Sequence, residues 1–287
     1  MTTGKPLPIN EREFELLTRY INENSGIVIP PEKSYLIETR LSGMMASLGM
    51  EAFGELYDYI VRDKDPILLK KVINAITTNE TMWFRDGAPW KVLEERILPQ
   101  LVKKLGSGEK NRARMWFSAA STGQEPYSTV MCVDDYLYKN RIWSVTLENF
   151  DFIATDISSG VLDTAKKGRY DQISITRGLD EYYKNKYFTK NGPMWELDGK
   201  IREAVRFFEF NLQRSFHMLG RFDVIFCRYV MIYFSESTNR EIVGKMHNAL
   251  ADGGVLFTGN YVFYELFEGR FDTCHYGNLT YYTKKKA

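Results

Sequence analysis

The chain has 287 residues, 44% of them hydrophobic, enough for two modest domains or one large one with a sizeable core. Its 38 Lys and Arg balance 37 Asp and Glu, so no global field draws it to nucleic acid or to an anionic membrane. Apolar runs such as "FDVIF" and "VMIYF" are far too short to span a bilayer, the first residues "MTTGKPLPINERE" lack the apolar stretch of a signal peptide, and the three cysteines show no CxxC spacing. From Asn10 to about Ile76 the pattern is helical. Phe14, Leu17 and Ile21 form one stripe with Leu16 and Tyr20 beside it, closed by "NSG"; "EKSYLIETRLSGMMASLGM", "EAFGELYDYIVRD" and "DPILLKKVINAI" follow, separated by Gly, Pro or Asp. These segments predict an all-helical first domain.

Residues 77 to 86, "TTNETMWFRD", fit neither the period of a strand nor that of a helix. A helix is expected from Pro89 to Leu105. Short apolar strands then alternate with helices: "RMWFSAA" leads through "STG" into "QEPYSTVMCVDDYL", "FDFIATD" into "ISSGVLDTAKKG", and "FDVIFC" and "GGVLFTG" flank "STNREIVGKMHNAL". Such alternation predicts βαβ units, a mostly parallel sheet and an α/β fold. Between Tyr187 and Val205 the segment "YFTKNGPMWELDGKIREAV" reads as a small antiparallel insertion, and the final "KKK" as a solvated tail. His217, His247 and His275 stand apart from one another and from acidic clusters, so no metal site is expected.

Open α/β sheets bind ligands at the carboxyl ends of their strands. The junction "SAASTGQEPYS" is built from small residues that let a ligand approach the backbone, yet it lacks GxGxxG and GK[ST], which disfavours a dinucleotide or a phosphate. Glu125 there offers an anion to a cationic group, and the bland alternative is a tight turn with Ser121 or Thr122 as helix cap. Asp156, ending "FIATD", suits either a ribose diol or a cap for the helix near Ser158, and both readings stay open. Asn211 and Leu212, after "FFEF", could meet a purine edge and face, though an Asn turn reads more simply. Arg228, after Cys227 in "FDVIFCRYVMIYF", cannot be buried without a partner. An ammonium, a ribose and a purine without phosphate describe S-adenosylmethionine.

Together "NAITTNETMWFRD", "WFSAASTGQEPYS", "ATDIS…VLDTAKKGRY", "VRFFEFNL" and "FDVIFCRYVMIYF" resemble the ordered motifs of the CheR-type chemoreceptor glutamate methyltransferases over nearly the whole chain. The resemblance implies an all-α domain at 1–76, a linker at 77–90, and a Rossmann-like class I S-adenosylmethionine-dependent methyltransferase domain at 91–287 with a β-subdomain at about 187–205. It implies cofactor contacts from Asn79, Thr81, Arg85, Glu125, Asp156, Asn211, Leu212, Cys227 and Arg228. Arg85 and Tyr233 are the expected positioners of the incoming carboxylate. The implied reaction is methyl esterification of glutamates in the cytoplasmic domains of chemoreceptors, by a cytoplasmic monomer without metal.

Four features depart from the family pattern. Gln124 replaces the first glutamate of the usual "GEEPYS", Tyr229 stands where Asn is usual after "CR", "FTGNYVFYELF" replaces the usual end of the next strand, and "SGMMASLG" lacks the arginines of a helix thought to dock on acidic receptor helices. The short insertion predicts independence from a receptor's C-terminal pentapeptide tether. Rival readings are a methyltransferase of the same fold with another substrate, and a non-catalytic S-adenosylmethionine sensor or scaffold with Tyr229 blocking the pocket.

Overall fold

The computed structural model describes residues 8–63, 65–259 and 264–285. Helix α1 (Glu11–Ser25) starts at Asn10, whose side chain accepts from the Glu13 N–H while Glu13 reaches back to the Asn10 N–H, and it stops at Gly26, φ 78°. Helices α2 (Ser34–Leu48), α3 (Phe53–Asp63) and α4 (Pro66–Ile76) follow, the last capped by Asp65 with Pro66 at its first position. Phe14, Leu17 and Ile21 of α1 meet Ile37, Leu41 and Met45 of α2, Phe53, Leu56 and Ile60 of α3, and Leu68, Val72 and Ile76 of α4 in one core. The helical stripes of the sequence thus close on one another.

Beyond the linker, the expected single helix is α5 (Ala88–Val92) and α6 (Leu98–Gly106) joined by one wider turn, Leu93–Ile97, in which the Leu98 N–H reaches back to the Leu93 carbonyl. Pro99, without an N–H and with a ring that crowds the preceding turn, accounts for the wider winding. The second domain continues through β1 (Ala113–Phe117), α7 (Gln124–Lys139), β2 (Phe150–Asp156), α8 (Ser159–Lys167), β3 (Arg169–Asp171), α9 (Gln172–Thr176), α10 (Glu181–Tyr187), β4 (Phe188–Asn191) and β5 (Met194–Leu197). It ends with α11 (Gly199–Glu203), β6 (Val205–Glu209), β7 (Phe222–Phe226), α12 (Glu236–Ala249), β8 (Leu250–Phe257), α13 (Tyr264–Phe267), β9 (Phe271–Tyr276) and β10 (Leu279–Lys284).

The main sheet has seven strands in the order β6-β2-β1-β7-β8-β10-β9; the first five run parallel, and β10 runs antiparallel to both of its neighbours, β8 and β9. Its inner strands β1, β2 and β7 are largely apolar on both faces because both are covered. Met115, Phe152, Val224 and Phe257 pack into one core, and Trp116, Ile153, Ile225 and Leu256 into another against α12. The fold is the expected one: an all-α domain followed by a mostly parallel, class I methyltransferase-type sheet and a small antiparallel sheet.

Three boundaries differ from expectation. The small sheet, ordered β3-β5-β4, takes in Arg169–Asp171, well before residue 187, with Tyr170 opposite Trp195. A three-residue strand is too short to display alternation. Val205 opens β6, an edge strand of the main sheet, instead of closing the insertion. The "KKK" tail is in part a strand: Lys284 belongs to β10, its Nζ donating to the Leu250 carbonyl at 2.9 Å, and residue 286 lies outside the described residues. Residues 260–263 of the departing "FTGNYVFYELF" segment also lie outside them. Among the described residues no helix is long and apolar enough to cross a membrane.

Candidate active site

The chain passes from β1 to β2 and β6 on one side, then returns to build β7 and β8 on the other, so the connections diverge at β1 and β7. A crevice at the carboxyl ends of the strands is expected at such a point. A cleft partly open to solvent lies there, with about 980 Å³ of empty space including its open mouth. Its walls come from the ends of β1, β2, β6 and β7, from the linker, and from Ser25, Ile27 and Ile76 of the all-α domain.

The linker is held by its aromatics. Trp83 is fully buried, its indole N–H donating to the Ser174 carbonyl at 3.0 Å and its ring meeting Tyr170 and Phe188 edge-on at 4.9 and 5.2 Å. Its backbone N–H donates to the Arg177 carbonyl at 3.0 Å. Phe84 packs on Trp90 and Tyr183, and its N–H donates to Ser128 Oγ at 3.1 Å. Left-handed φ at Phe84 (45°) and Asp86 (72°) tightens the turn between these anchors. Arg40 of α2 clamps the other end, donating to the carbonyls of Ile76 and Thr77 and to Thr78 Oγ1.

After β1, Ser121 adopts φ 50° and Gly123 φ 94°. Only glycine fits the latter place, since a Cβ would stand 3.0 Å from both Ala165 and the Tyr127 ring. Neither Ser121 nor Thr122 caps α7. Ser121 Oγ donates to the Asn79 carbonyl at 2.9 Å, tying the linker to this loop, and Thr122 Oγ1 donates to Gln124. Asp156 is 7% exposed, and each of its oxygens accepts one backbone N–H at 2.9 Å, from Ser158 and from Ser121. Burial holds its carboxyl above the ordinary value, against the pull of those N–H groups. Each oxygen keeps a lone pair for a further donor such as a diol.

Arg228 follows β7 with its side chain 1% exposed. It pairs with Asp86 Oδ2 at 2.5 Å and with Glu125 Oε2, and donates to the Arg85 carbonyl at 2.8 Å. Burial works against its charge, but the two carboxylates outweigh it and raise the arginine further. Burial pushes Glu125 upward despite Arg228. The three groups sum to one negative charge, which suits a cationic ligand, and among the described residues nothing hydrogen-bonds Glu125 Oε1.

Of the residues nominated from sequence, Asn79, Thr81, Arg85, Glu125, Asp156, Asn211, Leu212, Arg228 and Tyr233 line the cleft. Cys227 does not. One position past Phe226, strand alternation turns its side chain into the core with Ile225 and Ile242, where it is fully buried. Asn211 lines the cleft with its carboxamide already engaged: Nδ2 donates to the Asn24 carbonyl at 2.8 Å, and Oδ1 accepts from the Gln213 N–H at 2.8 Å. It therefore closes a turn and ties β6 to α1. Leu212, Ile157 and Phe210 supply apolar wall for a flat heterocycle.

Two residues of the site were not among those nominated as contacts. Asp86 lay within the quoted linker, but its partners Arg228 and Tyr229 are far along the chain. Tyr229, read as a departure from the family pattern and, in the sensor reading, as a block of the pocket, is part of the wall. Its hydroxyl donates to Asp86 Oδ2 at 2.5 Å, and the Arg85 guanidinium lies 3.6 Å above its ring. Among the described residues no cluster of three or more His, Cys, Asp or Glu is placed to hold a metal.

A family described as "CheR methyltransferase, SAM binding domain" matches residues 79–272, and "CheR methyltransferase, all-alpha domain" matches residues 12–77. The chain is 40% identical over 248 residues to chemotaxis protein methyltransferase 1 of Pseudomonas aeruginosa, spanning 86% of this chain and 88% of that protein. It is 37% identical over 248 residues, with the same coverage, to chemotaxis protein methyltransferase Cher2 of Pseudomonas putida. A chemotaxis protein methyltransferase of Borreliella burgdorferi is 32% identical over 256 residues, 88% of each chain.

Proposed function

The chain belongs to the CheR methyltransferase family, matched along both its helical and its S-adenosylmethionine-binding domains, and on that premise we propose that it esterifies glutamate side chains of bacterial chemoreceptors for sensory adaptation. The cleft residues fit the cofactor: Glu125 for its ammonium, Asp156 for its ribose, and Phe210, Leu212 and Ile157 around its adenine. Asn79 and Thr81 of the linker close over it, and Arg228 acts by holding Asp86 and Glu125 in place. When bound, S-adenosylmethionine supplies a methyl carbon activated by a sulfonium, and S-adenosylhomocysteine is left.

The observation that carries the reading is the contrast between two arginines. Arg228 is already paired with two carboxylates. Arg85, in the cleft wall, forms no ion pair among the described residues, its side chain donating only to the Glu80 carbonyl at 3.3 Å. It is the cation left to meet an incoming carboxylate. Tyr233, whose backbone carbonyl accepts the Val28 N–H at 2.8 Å, stands in the same wall with no hydrogen bond on its hydroxyl among the described residues. A glutamate side chain is already ionised near neutral pH, so no residue has to remove a proton. The task of Arg85 and Tyr233 is alignment, and that of the linker and the all-α domain is to keep water out.

The domain assignment is an all-α domain at 1–76, a linker at 77–90 and the methyltransferase domain at 91–287. The protein acts as a cytoplasmic monomer on the cytoplasmic domains of the receptors. Tight pentapeptide binding is not expected of its short β4–β5 hairpin, whose turn is residues 192 and 193, and calorimetric detection of such binding would refute tether independence. The deciding experiment is incubation with labelled cofactor and chemoreceptor-containing membranes, followed by mapping of base-labile label. Esters on receptor glutamates support the proposal. Label on another protein would redirect it to a different substrate, and cofactor binding without transfer would make the chain a sensor.

A further inference from the structure

Arg85 is long and flexible, and with one 3.3 Å bond to a carbonyl its guanidinium is poorly fixed by hydrogen bonding alone. What fixes it is Tyr229, whose ring centre lies 3.6 Å below the guanidinium carbon. The ring is itself held by two contacts. Its hydroxyl donates to Asp86 Oδ2 at 2.5 Å, and Asp86 is in turn paired with buried Arg228. Behind it stands Gly259, where a Cβ would come within 3.2 Å of the ring. Its backbone sits at φ 56°, a left-handed conformation that a bulky aromatic residue seldom adopts. A residue kept in such a conformation by specific contacts points to a use for what it holds.

We propose that Tyr229 is the positioning residue for Arg85, a neutral platform that sets where the guanidinium stands in the cleft. This rests on the reading of Arg85 as the group that orients the receptor carboxylate. The chemistry favours a ring over an acidic partner. A π face engages the flat side of a guanidinium and leaves its edge N–H donors free, whereas a carboxylate would occupy that edge and cancel the charge. Tyr229 thus immobilises the cation without using the part that a substrate needs.

The test is a double-mutant cycle with labelled cofactor and chemoreceptor-containing membranes, alongside calorimetry with S-adenosylhomocysteine. Tyr229→Asn removes the ring at little backbone cost, because asparagine accepts left-handed φ. Its kcat/KM for receptor should fall roughly five- to thirtyfold, in the range of a lost cation–π contact, with product affinity changed less than about twofold. Tyr229→Phe keeps the platform and should stay within about threefold of the parent. In an Arg85→Ala background, Tyr229→Asn should cost less than about twofold more. Full multiplication of the two losses, an equal deficit in Tyr229→Phe, or a loss accounted for by weaker product binding would each overturn the inference. An Arg85→Ala variant with undiminished kcat/KM would instead bring down the reading of Arg85 beneath it, a pattern visible in that single variant alone.

Discussion

Arg228 Nη2 lies 2.5 Å from Asp86 Oδ2, and this contact fastens the carboxyl end of β7 to the linker. The other arm of the same guanidinium reaches Glu125 at the start of α7, so three separate segments meet on one buried cation. Breaking a buried pair by removing one partner leaves an uncompensated charge, at a cost of about 3–5 kcal/mol. Arg228→Met should therefore lower the urea midpoint by a corresponding amount and abolish tight binding of S-adenosylhomocysteine, since Asp86 and Glu125 would repel each other across the cleft. Unchanged denaturation together with unchanged product binding would show that the cation holds neither the linker nor the pocket.

Arg85 should behave differently from Arg228. It makes no ion pair among the described residues, so truncation leaves no buried carboxylate behind. Arg85→Ala is expected to reduce turnover on receptor by roughly ten- to a hundredfold, as for loss of one charge-assisted orienting contact, while the melting temperature stays near that of the parent. Affinity for S-adenosylhomocysteine should change much less. Initial rates and calorimetry decide between the roles, and equal losses in both would reassign Arg85 to cofactor binding.

Acid should weaken cofactor binding earlier than ordinary carboxylates would allow. Burial raises Glu125 and Asp156 above their reference values of 4.5 and 3.8, so protonation of the folded protein begins above that range. In the same window the folded state holds more protons than the unfolded chain. The contribution of these two groups to stability is therefore fully present below the reference values and is lost as pH rises through the raised folded ones. Binding an ammonium or a diol needs the ionised forms, so affinity runs the opposite way. Calorimetry with S-adenosylhomocysteine at falling pH should show weakening that sets in before the reference range is reached and steepens toward a limit of roughly tenfold per pH unit for each proton taken up. Asp156→Asn should bind more weakly at pH 8 and lose part of that dependence; an unchanged profile would remove Asp156 from the site.

The inner strands of the main sheet were legible because both of their faces are covered, so "FDVIF" and "FDFIATD" carry the short apolar runs "VIF" and "FIA" after an Asp, as a buried strand between helices does. The helices of the first domain showed their stripes and caps locally. Arg169–Asp171 left no such mark, because three residues cannot display a period and its partner strand comes later in the chain. Within the cleft, position after a strand was enough to find Glu125, Asp156 and Arg228. It could not show which way Cys227 turns, nor that the Asn211 carboxamide is engaged by Asn24 and Gln213. The link from Arg228 through Asp86 to Tyr229 is a relation between distant residues, and it becomes visible only when the linker is folded onto β7.

The linker's position also depends on a glycine outside every motif. Gly178 lies at φ +88° in the loop before α10, where a Cβ would stand 2.3 Å from the Trp83 carbonyl oxygen and 2.8 Å from Met82 Cε. Methionine has room to move, but the backbone oxygen of a fully buried tryptophan does not. That segment is fixed on both sides, by the Trp83 N–H on the Arg177 carbonyl and by the indole on Ser174. Gly178→Ala must therefore displace the Arg177 loop from Trp83, adding left-handed strain to the lost hydrogen bond, a combined destabilisation of about 2–4 kcal/mol. Because Met82 and Thr81 line the cleft, the same displacement should weaken S-adenosylhomocysteine binding although residue 178 does not line it. Hydrogen exchange should show the Trp83 amide losing protection in Gly178→Ala before the amides of β1 do. Protection and product affinity equal to the parent's would mean that the linker is placed by Phe84 and Arg228 without help from the β-subdomain.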